Sequence, residues 1–449
     1  MSSREIPQKK RAQLIDRILG RKMSTGTHGG GQAVGTLRPV APASVPEAFT
    51  RLDRHPGYLK ILVPKAAAER LGIENPFFRV HEGVAGATTR IGGREYTNYS
   101  NYNYLGLAGH PEVVKAAKDA IDRYGMSASA SRLVAGERPI HRELEEELAR
   151  FYGVDDCVVF VSGHATNVST IGYLFGPKDL IVHDSLIHDS AMQGIQLSGA
   201  TRRSFPHNDH AALDRLLAEL RGQYERVLVV VEGLYSMDGD TPDLAALVAI
   251  KRRHKAFLMV DEAHGLGVVG PTGRGIAELH GVAGTDVDIW MGTLSKTLAG
   301  CGGFIAGERA LVEHLKYAAP GFVYSVGMAP ALAAASCAAL RILRREPERV
   351  AQLHDRARLF LDRARAAGID TGLSEGHAVI PAVTGSSLRA VKLSHALFAR
   401  GVNVQPIINP AVEEKAARLR FFVSSQHTPD QIEATVRLIA EEGGRNVSR

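Results

Sequence analysis

Short apolar runs that stop abruptly at polar residues recur through the middle of the chain. Val227–Val231 leads into Glu232-Gly-Leu-Tyr-Ser236-Met-Asp238-Gly-Asp240, and Ala256–Val260 into Asp261-Glu262-Ala263-His264-Gly265. Val287–Met291 leads into Gly292-Thr293-Leu-Ser295-Lys296-Thr297. Runs this short, apolar without alternation, predict strands buried on both faces, the signature of a parallel sheet. Each delivers polar residues at its carboxyl end, where open α/β sheets bind ligands. Cys157–Val161, followed by Ser162-Gly163-His164, and Leu180–Val182, followed by His183-Asp184 and His188, repeat the pattern.

Between these runs the spacing turns helical. Glu112–Tyr124 and His141–Tyr152 place apolar residues on one face, and Gly125 can end the first. Ala329–Leu343 is Ala-rich, too short to span a bilayer and interrupted by Arg341, so it predicts a packed helix. Beyond about Arg344, charged helices such as Glu348–Ala367 alternate with the strand runs Ala378–Ala382, Gly401–Pro406 and Arg418–Ser424. Towards the other end, Leu59–Val63 and Phe77–Val80 are strand candidates, Gly92-Gly93 marks a turn, and Met23–Ala48 reads as a linker rich in small residues. The expected division is a basic segment and linker over 1–48, an arm over 49–95, a large domain over 96–343 and a small α/β domain over 344–449.

Composition changes this picture little. With 45% hydrophobic and 23% charged residues the chain is an ordinary globular sequence of 449 residues. The net charge of +6 is concentrated in residues 1–22, where seven basic and two acidic side chains leave +5. The remainder is close to neutral, so no nucleic-acid-binding body is expected. That segment reads either as a solvated extension or as a basic amphipathic helix facing an anionic membrane surface or an acidic carrier protein. Three scattered cysteines predict a reducing compartment, and the charged start does not resemble a secretory signal, so the expected location is the cytoplasm or the inner face of its membrane. The Asp261-Glu-Ala-His264 string invites a helicase reading, but no G-x-x-x-x-G-K-[ST] loop accompanies it.

The polar residues at the predicted strand ends fit one chemistry. The Lys296 amine can form a Schiff base with an aldehyde cofactor, and the hydroxyls of Thr293 and Ser295 can bind its phosphate. Gly300, Gly302 and Gly303 let the backbone pass close by. Pyridoxal phosphate also needs a carboxylate to keep its ring nitrogen protonated, a role for Asp261, and His264 can bond its phenolate oxygen. Amides at the helix start after Ser162-Gly163 can take phosphate. A metal reading of His183, Asp184 and His188 lacks a strict ligand motif, and Arg132 and His141 read equally well as structural.

Together these stretches resemble the α-oxoamine synthases, a pyridoxal-phosphate family that includes serine palmitoyltransferase, 8-amino-7-oxononanoate synthase and 2-amino-3-ketobutyrate ligase. The resemblance runs from about Tyr96 to about Ala440 and also rests on Asn101-Tyr-Asn-Tyr-Leu-Gly-Leu107 and Arg418-Leu-Arg420. It implies a fold-type-I transferase: a large α/β domain with a mostly parallel sheet and a smaller C-terminal α/β domain. It further implies that His188 stacks on the cofactor ring, that Gly163 and His164 contact its phosphate, and that Ser236 joins the cofactor site. Ser325, in Phe322-Val-Tyr324-Ser325, is then expected to reach the neighbouring subunit's phosphate in a homodimer with shared sites. Arg420 is expected to clamp the amino acid's carboxylate, with Tyr102 and Asn103 beside the substrate. Tyr102 stands where several members have asparagine, which favours the serine palmitoyltransferase branch. The implied reaction joins a small L-amino acid, serine before glycine or alanine, to a long-chain acyl thioester on coenzyme A or an acyl carrier protein, releasing thiol and CO2. Lys296, His188 and Asp261 would carry it. An 8-amino-7-oxononanoate synthase-like or polyketide-associated enzyme, an aminotransferase and a catalytically silent regulatory subunit are the alternatives.

Overall fold

A computed structural model describes residues 45–70 and 72–447. The basic segment 1–22 and most of the linker therefore lie outside the described residues. The chain forms two compact units, Met1–Asn75 and Pro76–Arg449.

The described part of the first unit holds two short 3₁₀ turns and the helix Pro56–Arg70. The strand expected at Leu59–Val63 is therefore part of a helix. Pro56 opens it, and the Lys65–Arg70 run is made of strong helix formers, which outweigh a five-residue apolar run.

In the second unit the strand expected at Phe77–Val80 is absent. Phe78 has φ +60° and is almost fully exposed, so it neither extends nor packs. A hairpin follows, β1 (Thr88–Ile91) and β2 (Arg94–Asn98), turning at Gly92-Gly93 with positive φ at both glycines. The large sheet comprises β3 (Asp156–Phe160), β4 (Leu180–Asp184), β5 (Thr201–Phe205), β6 (Val227–Glu232), β7 (Phe257–Asp261), β8 (Ile289–Thr293) and β9 (Gly303–Gly307). Its order is β3-β9-β8-β7-β6-β4-β5. The neighbours from β5 to β8 are parallel, and β9 is antiparallel to both β8 and β3.

Both faces of this sheet are covered, which is why its strands show no alternation in sequence. Val159, Val182, Val229, Val260 and Trp290 pack with Leu144, Leu148 and Leu340 of the helices Pro139–Tyr152 and Pro330–Arg345. Val158, Ile181, Leu228, Met259 and Ile289 point the other way, onto Ile171 and Ile195 of the helices Gly163–Leu174 and Asp189–Ser198. Each such fully buried aliphatic side chain stabilises the fold by about 1.5–3 kcal/mol.

The C-terminal part adds β10 (Val379–Val383), β11 (Val402–Asn403), β12 (Pro406–Ile407) and β13 (Arg418–Phe422). β10, β13 and β12 form an antiparallel sheet, while β11 pairs with β2. Phe360, Leu397, Phe421 and Ile432 fill the core between this sheet and its helices.

Candidate active site

The carboxyl ends of β6, β7 and β8 open on one cavity of about 300 Å³. Glu232 ends β6 and Asp261 ends β7, paired in register on adjacent parallel strands. Lys296 follows β8, and Arg420 enters from β13 of the C-terminal sheet. His188 and Ser190 come from the start of the helix Asp189–Ser198, and Gly163, His164 and Asn167 from the start of the helix Gly163–Leu174. Tyr102, Ser236, His264, Thr293 and Ser295 also line it.

Asp261 is buried and held twice, its Oδ1 accepting the Ala263 N–H at 2.9 Å and its Oδ2 the Asn167 amide at 2.9 Å. Lys296 is half-buried, with its Nζ 5.4 Å from the centre of the Tyr102 ring. Desolvation lowers its amine from 10.5 to about 8, against the opposing pull of Asp261 and Glu232. Burial likewise drives His264 well below the ordinary histidine value, and its Nδ1 meets the Tyr104 hydroxyl at 2.8 Å. Burial also lowers His188, against the pull of Asp261.

The Gly163 end of its helix is built for close approach. Ser162 caps it by accepting from the Ala165 N–H, and a Cβ on Gly163 would come within 2.9 Å of the Thr293 Oγ1. A Cβ on Gly303 would meet the Gly163 Cα at 2.7 Å. Thr293 donates to the Gly302 carbonyl at 2.9 Å, and Ser295 accepts from the Gly302 N–H at 3.3 Å. Helix amides, two hydroxyls and small residues thus converge at one end of the cavity.

Arg420 donates from Nη1 to the Ser236 carbonyl at 2.9 Å, while its Nε is buried without a partner. Arg418, two residues earlier, donates to Asp238 Oδ1 at 2.6 Å and to the Met237 carbonyl at 2.9 Å. The two arginines of β13 therefore fasten the loop after β6, which presents Ser236.

Two expected residues lie elsewhere. Asn103 is buried outside the cavity, its amide donating to the Ala85 carbonyl at 2.7 Å and its Oδ1 accepting the Ala108 N–H at 3.1 Å. Both ends of its side chain serve the main chain, so it shapes the entry segment and does not face the substrate. Ser325 also lies outside the cavity, in a half-buried turn between exposed Tyr324 and Val326. His183 sits in β4 with its Nδ1 against the Asp184 carbonyl at 2.7 Å. Asp184 is bonded to His207, Leu186 and Asn208. Arg132 pairs with Glu137 and Glu145, His141 meets the Met328 carbonyl, and neither lines the cavity.

From the sequence alone no site role attaches to Glu232, Asn167, Ser190 and Tyr104. For Glu232 a signal exists, since it ends its apolar run as Asp261 ends the next. Burial, and then the neighbouring Asp261, raise its carboxyl well above the usual range. Glu232 Oε1 and Asn167 Oδ1 are buried without partners, and both residues line the cavity.

The donor set fits pyridoxal phosphate: a carboxylate for a ring nitrogen, an amine for an aldehyde, a phosphate cradle, and orphaned buried polar atoms that a polar ligand would satisfy. The chain matches the aminotransferase class I and II family over residues 94–439. It is 43% identical over 368 residues to the 8-amino-7-oxononanoate synthase of Geobacter sulfurreducens, covering 81% of this chain and 93% of that one. It is 41% identical to the 8-amino-7-oxononanoate synthase of Methylobacterium nodulans, covering 80% and 90%. Among solved structures, the serine palmitoyltransferase of Sphingomonas wittichii superposes with a TM-score of 0.84 at 30% identity, covering 89% of this chain and 99% of that one. The chain belongs to the class I and II aminotransferase family and, within it, to the pyridoxal-phosphate-dependent α-oxoamine synthases.

Proposed function

We propose that the protein condenses a small L-amino acid with an acyl thioester, with loss of CO2 and release of thiol, as an 8-amino-7-oxononanoate synthase-like enzyme. The observation that carries this reading is the convergence of Lys296, Asp261, His188, His264 and Arg420 on one cavity. The 43% identity to a named 8-amino-7-oxononanoate synthase favours this branch over the serine palmitoyltransferase type first expected from Tyr102. Alanine, glycine and serine are the amine candidates, and the acyl group rides on coenzyme A or a carrier protein.

When bound, pyridoxal phosphate supplies an electron sink that acidifies the amino acid's Cα–H. The chain's own residues divide the remaining work. Lys296 and Asp261 would hold the cofactor's aldehyde and ring nitrogen, His264 would bond its phenolate oxygen and His188 would stack on its ring. Gly163, His164, Thr293 and Ser295 would take the phosphate, and Ser236 would join the cofactor site from the loop after β6. Arg420 binds the substrate carboxylate in a two-pronged hydrogen bond. The lowered proton affinity of Lys296 suits it to accept the Cα proton near neutral pH. His188 donates to the thioester carbonyl oxygen as charge builds there.

A homodimer with shared sites is part of this proposal. Tyr324 is 86% exposed and Val326 50%, so the apolar side chains flanking Ser325 are suited to burial against a second copy. Ser325 would then serve the partner's site. Residues 1–22 remain the candidate contact for an acidic carrier or a membrane surface.

The test is a visible-absorbance titration of the reconstituted enzyme with L-alanine, glycine and L-serine, followed by acyl thioesters. The expected result is a spectral shift with one amino acid, then free thiol and CO2 in equal amounts. Keto-acid formation without thiol release would make the protein an aminotransferase and overturn the proposal.

A further inference from the structure

His188 is connected to Asp261 by two neutral side chains. The Asn167 Nδ2 donates to Asp261 Oδ2 at 2.9 Å and to the Ser190 Oγ at 2.9 Å. The Ser190 Oγ lies 2.7 Å from His188 Nδ1, and the Ser190 N–H donates to the same nitrogen at 3.2 Å. Asn167 and Ser190 are both almost completely buried.

The directions of these bonds follow from chemistry. A main-chain N–H can only donate, so His188 Nδ1 presents a lone pair. The Asn167 amide must turn its NH2 towards the Asp261 carboxylate, because its own oxygen would face another acceptor there. Ser190 therefore receives a donor from Asn167, which leaves the hydroxyl proton for Nδ1. Two donors converge on one ring nitrogen, and the neutral ring keeps its proton on Nε2.

We propose that Asn167 and Ser190 are positioning residues that hold His188 in one tautomer, with Nδ1 closed and Nε2–H as its sole donor. Resting on the proposed reaction, this makes His188 a neutral hydrogen-bond donor throughout turnover, with its orientation anchored to the carboxylate assigned to the cofactor nitrogen. A proton added at Nδ1 would confront two donors. The charged and titratable groups acting on the ring are Asp261 on β7, Lys296 after β8, His164 on the helix Gly163–Leu174 and Asp189 on its own helix, while Glu232 on β6 meets the His188 main chain. None of these accounts for a fixed tautomer, whereas the paired donors from Ser190 do.

The experiment is histidine-selective ¹⁵N NMR on the full-length apoenzyme, with the His188 signals assigned by H188Q. The expected wild-type spectrum shows the Nε2–H tautomer, titrating below the ordinary midpoint of about 6.5. Ser190→Ala removes one of the two donors at Nδ1, so the midpoint should rise towards about 6.5. Ser190→Thr keeps a hydroxyl and should restore the wild-type pattern. In the loaded enzyme the acid limb of kcat should move up in Ser190→Ala and return in Ser190→Thr, with KM for the amino acid nearly constant. An Nδ1–H tautomer in the wild type, or an unchanged titration in Ser190→Ala, overturns the proposal. The NMR readout needs neither cofactor nor substrate, so a failure of the proposed reaction would leave it standing.

Discussion

Glu232 and Asp261 end neighbouring parallel strands in register, so two carboxyl groups face one cavity side by side. They cannot both ionise cheaply there. Asn167 and the Ala263 N–H support charge on Asp261, while at Glu232 burial and the neighbouring Asp261 outweigh the Ser236 N–H that reaches its Oε2 at 3.3 Å, so Glu232 keeps its proton.

A stability prediction follows with a definite sign. Glu232 binds its proton more tightly in the folded state than its unfolded value of 4.5. The native protein therefore loses stability as pH rises above that value, and a group that cannot ionise does not. In urea denaturation of the apoprotein, Glu232→Gln should gain on the wild type steadily from about pH 5 to about pH 8. A gap that stays constant over this range would mean that Glu232 is ionised in the native state.

Lys296 carries the opposite shift. With its amine lowered to about 8, roughly a tenth is neutral at pH 7, against roughly one part in three thousand for an ordinary lysine. The rate at which the apoenzyme captures pyridoxal phosphate, followed by visible absorbance in a stopped-flow mixer, should rise with pH to a midpoint near 8. Because Asp261 favours the charged amine, Asp261→Asn should move that midpoint lower. A midpoint near 10.5 would remove desolvation as the activating cause. Lys296→Arg should give no band at any pH.

The salt bridge between Arg418 and Asp238 is nearly closed to solvent, with side-chain exposures of 8% and 11%. Arg418→Met alone leaves a buried carboxylate uncompensated and should cost about 3–5 kcal/mol in chemical denaturation. Adding Asp238→Asn removes that charge and should recover most of the loss. If the double variant is less stable than the single one, the bridge is not what holds the loop.

What could be read from the sequence follows the same physics. Strands buried on both faces stand out as uninterrupted apolar runs, so β3, β4, β6, β7 and β8 were legible together with the residues at their ends. β5, with Thr201-Arg-Arg-Ser-Phe205, is a half-exposed edge strand and has no such run. β9 begins and ends in glycine, and its antiparallel direction leaves no trace in composition. Within the site, Lys296 and Asp261 stand out because each follows a short apolar run, whereas Arg420 is picked out only by the resemblance of Arg418-Leu-Arg420 to the family's strand. Asn167 and Ser190 look like ordinary helix-start residues until three elements bring them together. Asn103 was misplaced because a polar residue in a glycine-containing turn suits ligand binding and main-chain support equally well.

Arg420 gives the sharpest functional prediction. Its guanidinium is mostly enclosed, and burial weighs against its charge. One nitrogen holds the Ser236 carbonyl while Nε is buried without an acceptor. A carboxylate entering the cavity would supply that acceptor, and charge-assisted hydrogen bonds of this kind are worth about 1.5–3 kcal/mol. Arg420→Ala should therefore lower kcat/KM for the amino acid by roughly 10- to 150-fold. Arg420→Lys keeps the charge but not the fork and should recover only part of the loss. Binding of pyridoxal phosphate should change far less, because its expected contacts lie on β7, after β8 and at the Gly163 helix. The clamp assignment fails if Arg420→Ala weakens cofactor binding as strongly as amino-acid binding, since the arginine would then act through the Ser236 loop and not on the substrate.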